Sequence, residues 1–278
     1  MQTRNAHTLN VLIRWLVPIA AAIVFSIWFL ISPPGLLGKA DALGYAVCHR
    51  IDERSFHLGG RQLPLCARCS GMYLGAMLGI VFQMAIARRR GGNPPWKVIV
   101  PLILFFLAFA VDGTNSYIYL IKTVSPGGLD FLPTLYIPNN TLRLFTGSGM
   151  GLVIAAAIYP AFNQTVRADW EIKPALADLK SLGILVALMI GLDLLTLTES
   201  PIVLYPVAFI SAGGVLVLFK MIYSMVWLMV MRQENAFTSI KQMGMALLAG
   251  LTISLIQITL IDLVRFWATG TWSGFPLG

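Results

Sequence analysis

The chain has 278 residues and a formal net charge of +8, yet only 12% of its residues are charged and 57% are hydrophobic. Soluble domains carry about 25% charged residues, so with a mean hydropathy of +0.77 the composition excludes an ordinary soluble domain and makes lipid the solvent for most of the chain. The positive balance is not a nucleic-acid footprint. Its Lys and Arg residues are dispersed at the ends of apolar runs, with no basic face interleaved with aromatics, and the Lys/Arg bias of cytoplasmic loops accounts for them.

Apolar runs fall near 11–32, 71–87, 98–121, 142–162, 180–198, 202–231 and 243–268. Each is long enough to cross about 30 Å of hydrocarbon at 1.5 Å per residue. The expected fold is therefore all-α, one transmembrane domain over 1–278, a helical bundle of about seven spans. The first run is too long for the apolar core of a signal peptide and ends in Pro33-Pro34-Gly35 without a small-residue cleavage site, so it reads as a span or signal anchor. Pro and Gly punctuate the gaps at Gly91–Pro95, Ser125–Gly128 and Ser200-Pro201. No internal repeat is visible.

Orientation follows from charge. Arg88, Arg89, Arg90 and Lys97 bracket a short loop, which the positive-inside rule makes cytoplasmic. Alternation then puts the N-terminus inside, with the loops holding Arg167, Lys173, Lys180, Arg232 and Lys241. The 33–70 segment falls outside, in an inner-membrane protein. It nevertheless carries Lys39, Arg50, Arg54, Arg61 and Arg68, which implies roles other than topology.

All three cysteines lie in or next to that segment, as Cys48-His49-Arg50 and Cys66-Ala67-Arg68-Cys69. A C-x-x-C pair can chelate one ion, and Cys48 with His49 completes a Cys₃His set of the kind found in structural zinc sites. His57 is an alternative fourth ligand. A redox reading competes, because thiols at a helix N-terminus beside arginines have depressed pKa values and an extracytoplasmic side preserves disulfides. Cys48, Arg54 and Ser55 also match the Cys-x₅-Arg-Ser spacing of cysteine phosphatases. The intervening Asp52 and Glu53, with no glycine, suit an anion cradle poorly.

The runs CHRIDERSF and GRQLPLCARCSGMYLG, continued by Asp112-Gly113, Asn139–Arg143 and Thr146-Gly147, resemble the prokaryotic membrane proteins grouped as domain of unknown function 2085. The resemblance covers about residues 40–155. It implies membership of a membrane-protein family and carries no activity.

Ionisable residues inside spans are functional candidates by default. With the orientation above, Asp112, Asp193, Glu199, Asp262 and Arg265 lie toward the outer ends of their spans, and Asn139, Asn140 and Arg143 open the fourth. Asp112 is expected to pair with Arg143, and Asp262 with Arg265 along their own helix. Gly71, Gly75 and Gly79 in the second span and Gly147 and Gly151 in the fourth have the spacing that lets helix backbones touch. That contact would set the cysteines beside Asn140 and Arg143. The Met221–Met231 stripe reads as packing, and Trp170 and Trp272 as interface anchors.

The leading expectation is a zinc site of Cys48, His49, Cys66 and Cys69 capping an outward-facing polar pocket. There Asp112, Asn140, Arg143, Arg50 and Arg54 would bind an anionic or lipid-linked ligand. No nucleotide or hydrolase motif appears. A transporter or channel, and a thiol–disulfide oxidoreductase using Cys66 and Cys69, are the alternatives.

Overall fold

The computed structural model describes residues 2–125, 131–239 and 241–274, with side chains from Trp15 onward. The turn read at Ser125–Gly128 falls largely outside them. Among these residues eight helices form in chain order: α1 (Gln2–Ile31), α2 (Leu36–Tyr45), α3 (Ala67–Ile86), α4 (Trp96–Val124), α5 (Asn140–Val166), α6 (Leu179–Leu197), α7 (Pro201–Met231) and α8 (Gly244–Thr269). Six are long and apolar enough to cross a membrane, or seven spans result if α1 and α2 are one bent pair. The chain is an all-α polytopic bundle, and its long helices follow the apolar runs.

Local chemistry sets the ends. The Asn139 side chain accepts from Leu142 N at 2.8 Å to cap α5, and Asp178 does the same for α6 from Ser181 N at 2.7 Å, satisfying amide groups that have no partner inside the helix. Pro201 starts α7, where its missing N–H is harmless. Pro33-Pro34-Gly35 stops α1, and with Gly35 at φ 80° the chain turns through 103° into α2.

The 33–70 segment, expected as a loop, is thus largely structured. It holds α2, a single 3-10 turn (Asp52–Arg54) and a hairpin of β1 (His57–Leu58) against β2 (Arg61–Gln62). The hairpin turns on Gly59 and Gly60, both at positive φ. Sequence periodicity misses α2 because seven of its ten residues are buried, chiefly against α7, and leave no continuous polar stripe. Between other spans, β3 (Arg90–Gly92) pairs in parallel with β4 (Glu171–Pro174).

The bundle is organised around α3 and α5. Their glycine faces meet as the spacing predicts. A Cβ on Gly75 would press on the Ser148 backbone, and one on Gly79 would stand 2.6 Å from Ala155 Cβ. Contact this close gains dispersion energy that lipid cannot supply. α7 packs against the same pair through Tyr73, Val215 and Leu218. α4 and α6 are peripheral and present rows of exposed apolar residues such as Leu104, Leu107, Leu188 and Leu195. Met221 is buried and Met229 exposed, which fits the packing role of that stripe.

A candidate metal centre beside an arginine-lined cavity

Three local features bring the cysteines together. Cys66 is the N-cap of α3 and Cys69 lies in its first turn, positions whose side chains face one another at a helix start. Cys48 follows α2 directly. α2 meets the strand leading to α3 so closely that a Cβ on Gly44 would stand 2.7 Å from the Pro64 carbonyl carbon. The three sulfurs all lie within 4.8 Å of one another.

Backbone donors converge on Cys48. Its Sγ accepts from Arg50 N at 3.4 Å and from Cys66 N at 3.3 Å. Arg50 reaches this position in a left-handed conformation, φ 52°, which is strained for a side-chain-bearing residue. N–H groups aimed at a buried sulfur favour a thiolate. As free thiols the trio share protons unequally. The hydrogen bond to Cys66 comes first in pushing Cys48 up to about 12, and bonds from Cys48 and Cys69 hold Cys66 well below the usual thiol value. Three soft donors clustered with amide support suit a thiophilic ion such as zinc.

The same backbone rules out a phosphatase-type cradle at Cys48–Ser55. Arg54 N and Ser55 N bond to the carbonyls of Ile51 and Asp52 within the 3-10 turn, and Arg50 N serves Cys48. His57 Nε2 lies 2.9 Å from Asp52 Oδ1, and His57 is outside the donor group that closes around the sulfurs. His49 is exposed and lines the cavity described next. The donor group that closes within 4.8 Å consists of the sulfurs.

The cysteines form one wall of a cavity of about 540 Å³, whose other walls carry Arg50, Arg54, Arg68 and Arg143. Asp112 is 1% exposed and pairs with Arg68, not with Arg143 as expected. Arg68 Nε donates to Asp112 Oδ2 at 3.1 Å, Tyr136 Oη donates to Oδ1 at 2.8 Å and Thr146 Oγ1 to Oδ2 at 3.1 Å. Arg68 wins because it projects from the first turn of α3 toward α4, while Arg143 Nη1 donates to Asn140 Oδ1 on its own helix at 2.9 Å. Asn140 in turn donates to Glu53 O at 3.3 Å, tying α5 to the 3-10 turn. Burial and the charge of Arg68 both lower the Arg54 pKa, a sign of crowded cations.

Contacts from α2, α8 and the segment after α8 brace the backbone around Cys48. Asp41 of α2 takes Arg50 at 3.0 Å and Arg61 at 2.5 Å. Arg265 does not bond to Asp262, whose two carboxylate oxygens have no hydrogen-bond partner among the described residues. Its Nη1 instead donates to the carbonyls of Tyr45 and Cys48, both at 2.5 Å, and its Nη2 to His49 O at 3.1 Å. The guanidinium also stacks over the Tyr45 ring at 3.9 Å. A cation at the carbonyl end of α2 complements the helix dipole. The segment after α8 adds two straps: Tyr45 Oη donates to Thr271 O at 2.7 Å and Arg50 Nη1 to Trp272 O at 3.1 Å. Trp272, expected as an interface anchor, packs on Tyr45 and Phe266. The basic residues of the 33–70 segment therefore have structural partners, including Lys39, which donates to Ser32 O and Oγ at the end of α1.

Sequence comparison agrees with the motif. The family described as "predicted membrane protein (DUF2085)" matches residues 48–157. Residues 48–157, less than half of the chain, are similar to that family. Two relatives are uncharacterized archaeal proteins. One, from Methanocaldococcus jannaschii, is 30% identical over 122 residues, covering 43% of this chain and 66% of its own. The other, from Methanothermobacter thermautotrophicus, is 28% identical over 114 residues, covering 40% of this chain and 86% of its own. The chain thus spans just under two thirds of the length of the first. No solved structure matches. The matched segment contains all three cysteines, Asp112 and the four cavity arginines, whereas Asp41, Arg265 and Trp272 lie outside it.

Proposed function

We propose that this chain is a multi-pass inner-membrane protein in which Cys48, Cys66 and Cys69 hold zinc beside a cavity that takes an anionic or lipid-linked ligand. The carrying observation is that three sulfurs within 4.8 Å of one another form a wall of the arginine-lined cavity. Three protein sulfurs leave a fourth tetrahedral position, for His49 or for water. Bound zinc would supply Lewis acidity and a water of lowered pKa. Arg50, Arg54 and Arg143 would hold the anion, Asn140 would position Arg143 through its Oδ1, and Asp112 would fix Arg68 between Cys66 and Cys69. The basic turns around Arg88–Arg90 and Lys241 support placing the opposite end of the bundle in the cytoplasm.

Elemental analysis of the purified chain, set beside thiol titration, tests this reading. Stoichiometric zinc with slow thiols, and loss of zinc in Cys48→Ser and Cys69→Ser, is the expected result. His49→Ala separates the two fourth ligands: lower zinc affinity assigns it to the imidazole, unchanged affinity to water. Zinc-free protein with a reducible Cys66–Cys69 disulfide would replace the metal centre with the redox reading. The bend between α1 and α2 favours a transporter as second reading, and flux in proteoliposomes abolished by Asp112→Asn would establish it.

A further inference from the structure

We propose that the cavity recognises a phosphomonoester, the doubly charged phosphoryl end of a membrane lipid. The inference rests on the reading above and names its ligand class. Of the four cavity arginines, Arg50 and Arg68 are matched by Asp41 and Asp112. Arg54 and Arg143 have no carboxylate oxygen within 4.0 Å among the described residues. Glu53, next to Arg54, is exposed and makes no such pair.

Arg143 is the sharper observation. It is 6% exposed, lines the cavity, and its Nε has no hydrogen-bond partner among the described residues. Its one side-chain bond goes to a neutral amide, Asn140. Arg54 makes only a long bond, 3.4 Å, to Ser116 O. A buried guanidinium with an idle donor is costly unless an anion completes it. Arg54, half-buried, faces the same space. Because Arg61 also draws on Asp41, the arginines still outweigh Asp41, Asp112 and a zinc tris-thiolate of charge −1, matching a ligand of charge near −2. A phosphomonoester has that charge at neutral pH, with three acceptor oxygens suited to the guanidinium fork. A carboxylate or phosphodiester brings only one charge.

Apart from His49, the remaining walls are largely apolar. Val47, Ile51 and Leu120 line the cavity, and Tyr117 of α4, 63% exposed, stands at its edge on the outer face of the bundle. The cavity volume exceeds what inorganic phosphate alone would fill. A phosphoryl group with an apolar tail leaving past α4 satisfies both halves of the lining.

Calorimetric titration of the metal-loaded full chain in micelles, with zinc content measured in every sample, tests this. The probes are short-chain phosphatidic acid, short-chain phosphatidylglycerol and inorganic phosphate. Phosphatidic acid is expected to bind at least tenfold more tightly than phosphatidylglycerol. Arg143→Gln or Arg54→Gln should weaken it about ten- to hundredfold, the worth of a charge-assisted bond, with Lys241→Gln at the far end unchanged. Inorganic phosphate binding as tightly as phosphatidic acid would uphold the phosphoryl site and overturn the lipid tail. Equal affinity for the two lipids overturns the phosphomonoester assignment, a comparison the wild-type chain decides even if a variant fails to fold. No binding by zinc-loaded protein defeats this inference alone, whereas zinc-free protein defeats the reading beneath it.

Discussion

Replacing Gly147 with alanine tests whether the helix contact that carries the cysteines is as close as described. A Cβ there would press on the Arg68 carbonyl oxygen and stand 3.0 Å from its carbon and 3.1 Å from Met72 N. These are backbone atoms of the first turns of α3, so no side-chain rotation relieves them. Ordinary contact needs about 3.5 Å or more between carbon atoms, so α3 and α5 must part by several tenths of an ångström or more. Overpacking of this kind destabilises by about 1–3 kcal/mol. The shift falls between Cys66 and Cys69, so metal affinity should drop along with thermal stability. Gly213→Ala is the control, because its Cβ would meet nothing within 4 Å, and alanine favours a helix by about 1 kcal/mol over glycine. Thermal unfolding in detergent and zinc retention against a chelator are the readouts. If Gly147→Ala matches Gly213→Ala in both, α3 and α5 do not touch at this point and the account of how the site is positioned fails.

Arg265→Met removes the donors to Tyr45, Cys48 and His49 carbonyls. We expect a loss of about 1.5–3 kcal/mol and faster zinc release to a chelator, with Arg265→Lys recovering only part because it lacks the fork. Asp112→Asn leaves the Arg68 charge without its counter-ion. The melting experiment should show a loss toward the lower end of about 3–5 kcal/mol, since Asn keeps one acceptor for Tyr136. Asn139→Ala should cost about 1 kcal/mol through the lost α5 cap, read as a lower unfolding midpoint. The Tyr136 phenol is pushed up to about 12, first by burial and then by its bond to Asp112. A raised folded pKa gives stability present below the usual tyrosine value near 10 and lost as pH rises through about 12. Ultraviolet titration comparing wild type with Tyr136→Phe should therefore remove a late-titrating phenol, and an unchanged curve would count against the Asp112–Tyr136 bond.

Much of the candidate site was legible because its chemistry is local. Cys66 and Cys69 are neighbours by virtue of a helix start, and Cys48 was implicated simply as the other thiol in the chain. The intramembrane charges announced themselves by their cost in lipid. Their partners did not. Arg68 and Arg143 are both within reach of α4 on paper, and only the azimuth of each helix decides that Asp112 meets Arg68. Asp41 and Tyr136 gave no signal of their own, and Thr146 only as part of the family motif, since a lone polar residue becomes part of a network only when distant elements meet.

Hydropathy and glycine spacing determined the spans and the α3–α5 contact, since both follow from what a single helix presents to lipid or to its neighbour. The tertiary structure decided the remainder of what surrounds the cysteines. The turn of α1 into α2 places Cys48 beside Cys66, and Arg265 reaches from the end of α8 to hold the carbonyls around it. Arg54 and Arg143 are left facing one cavity with no carboxylate between them. Helical periodicity fixes a residue's face but not which element that face will meet, and the chemistry of this site resides in those meetings.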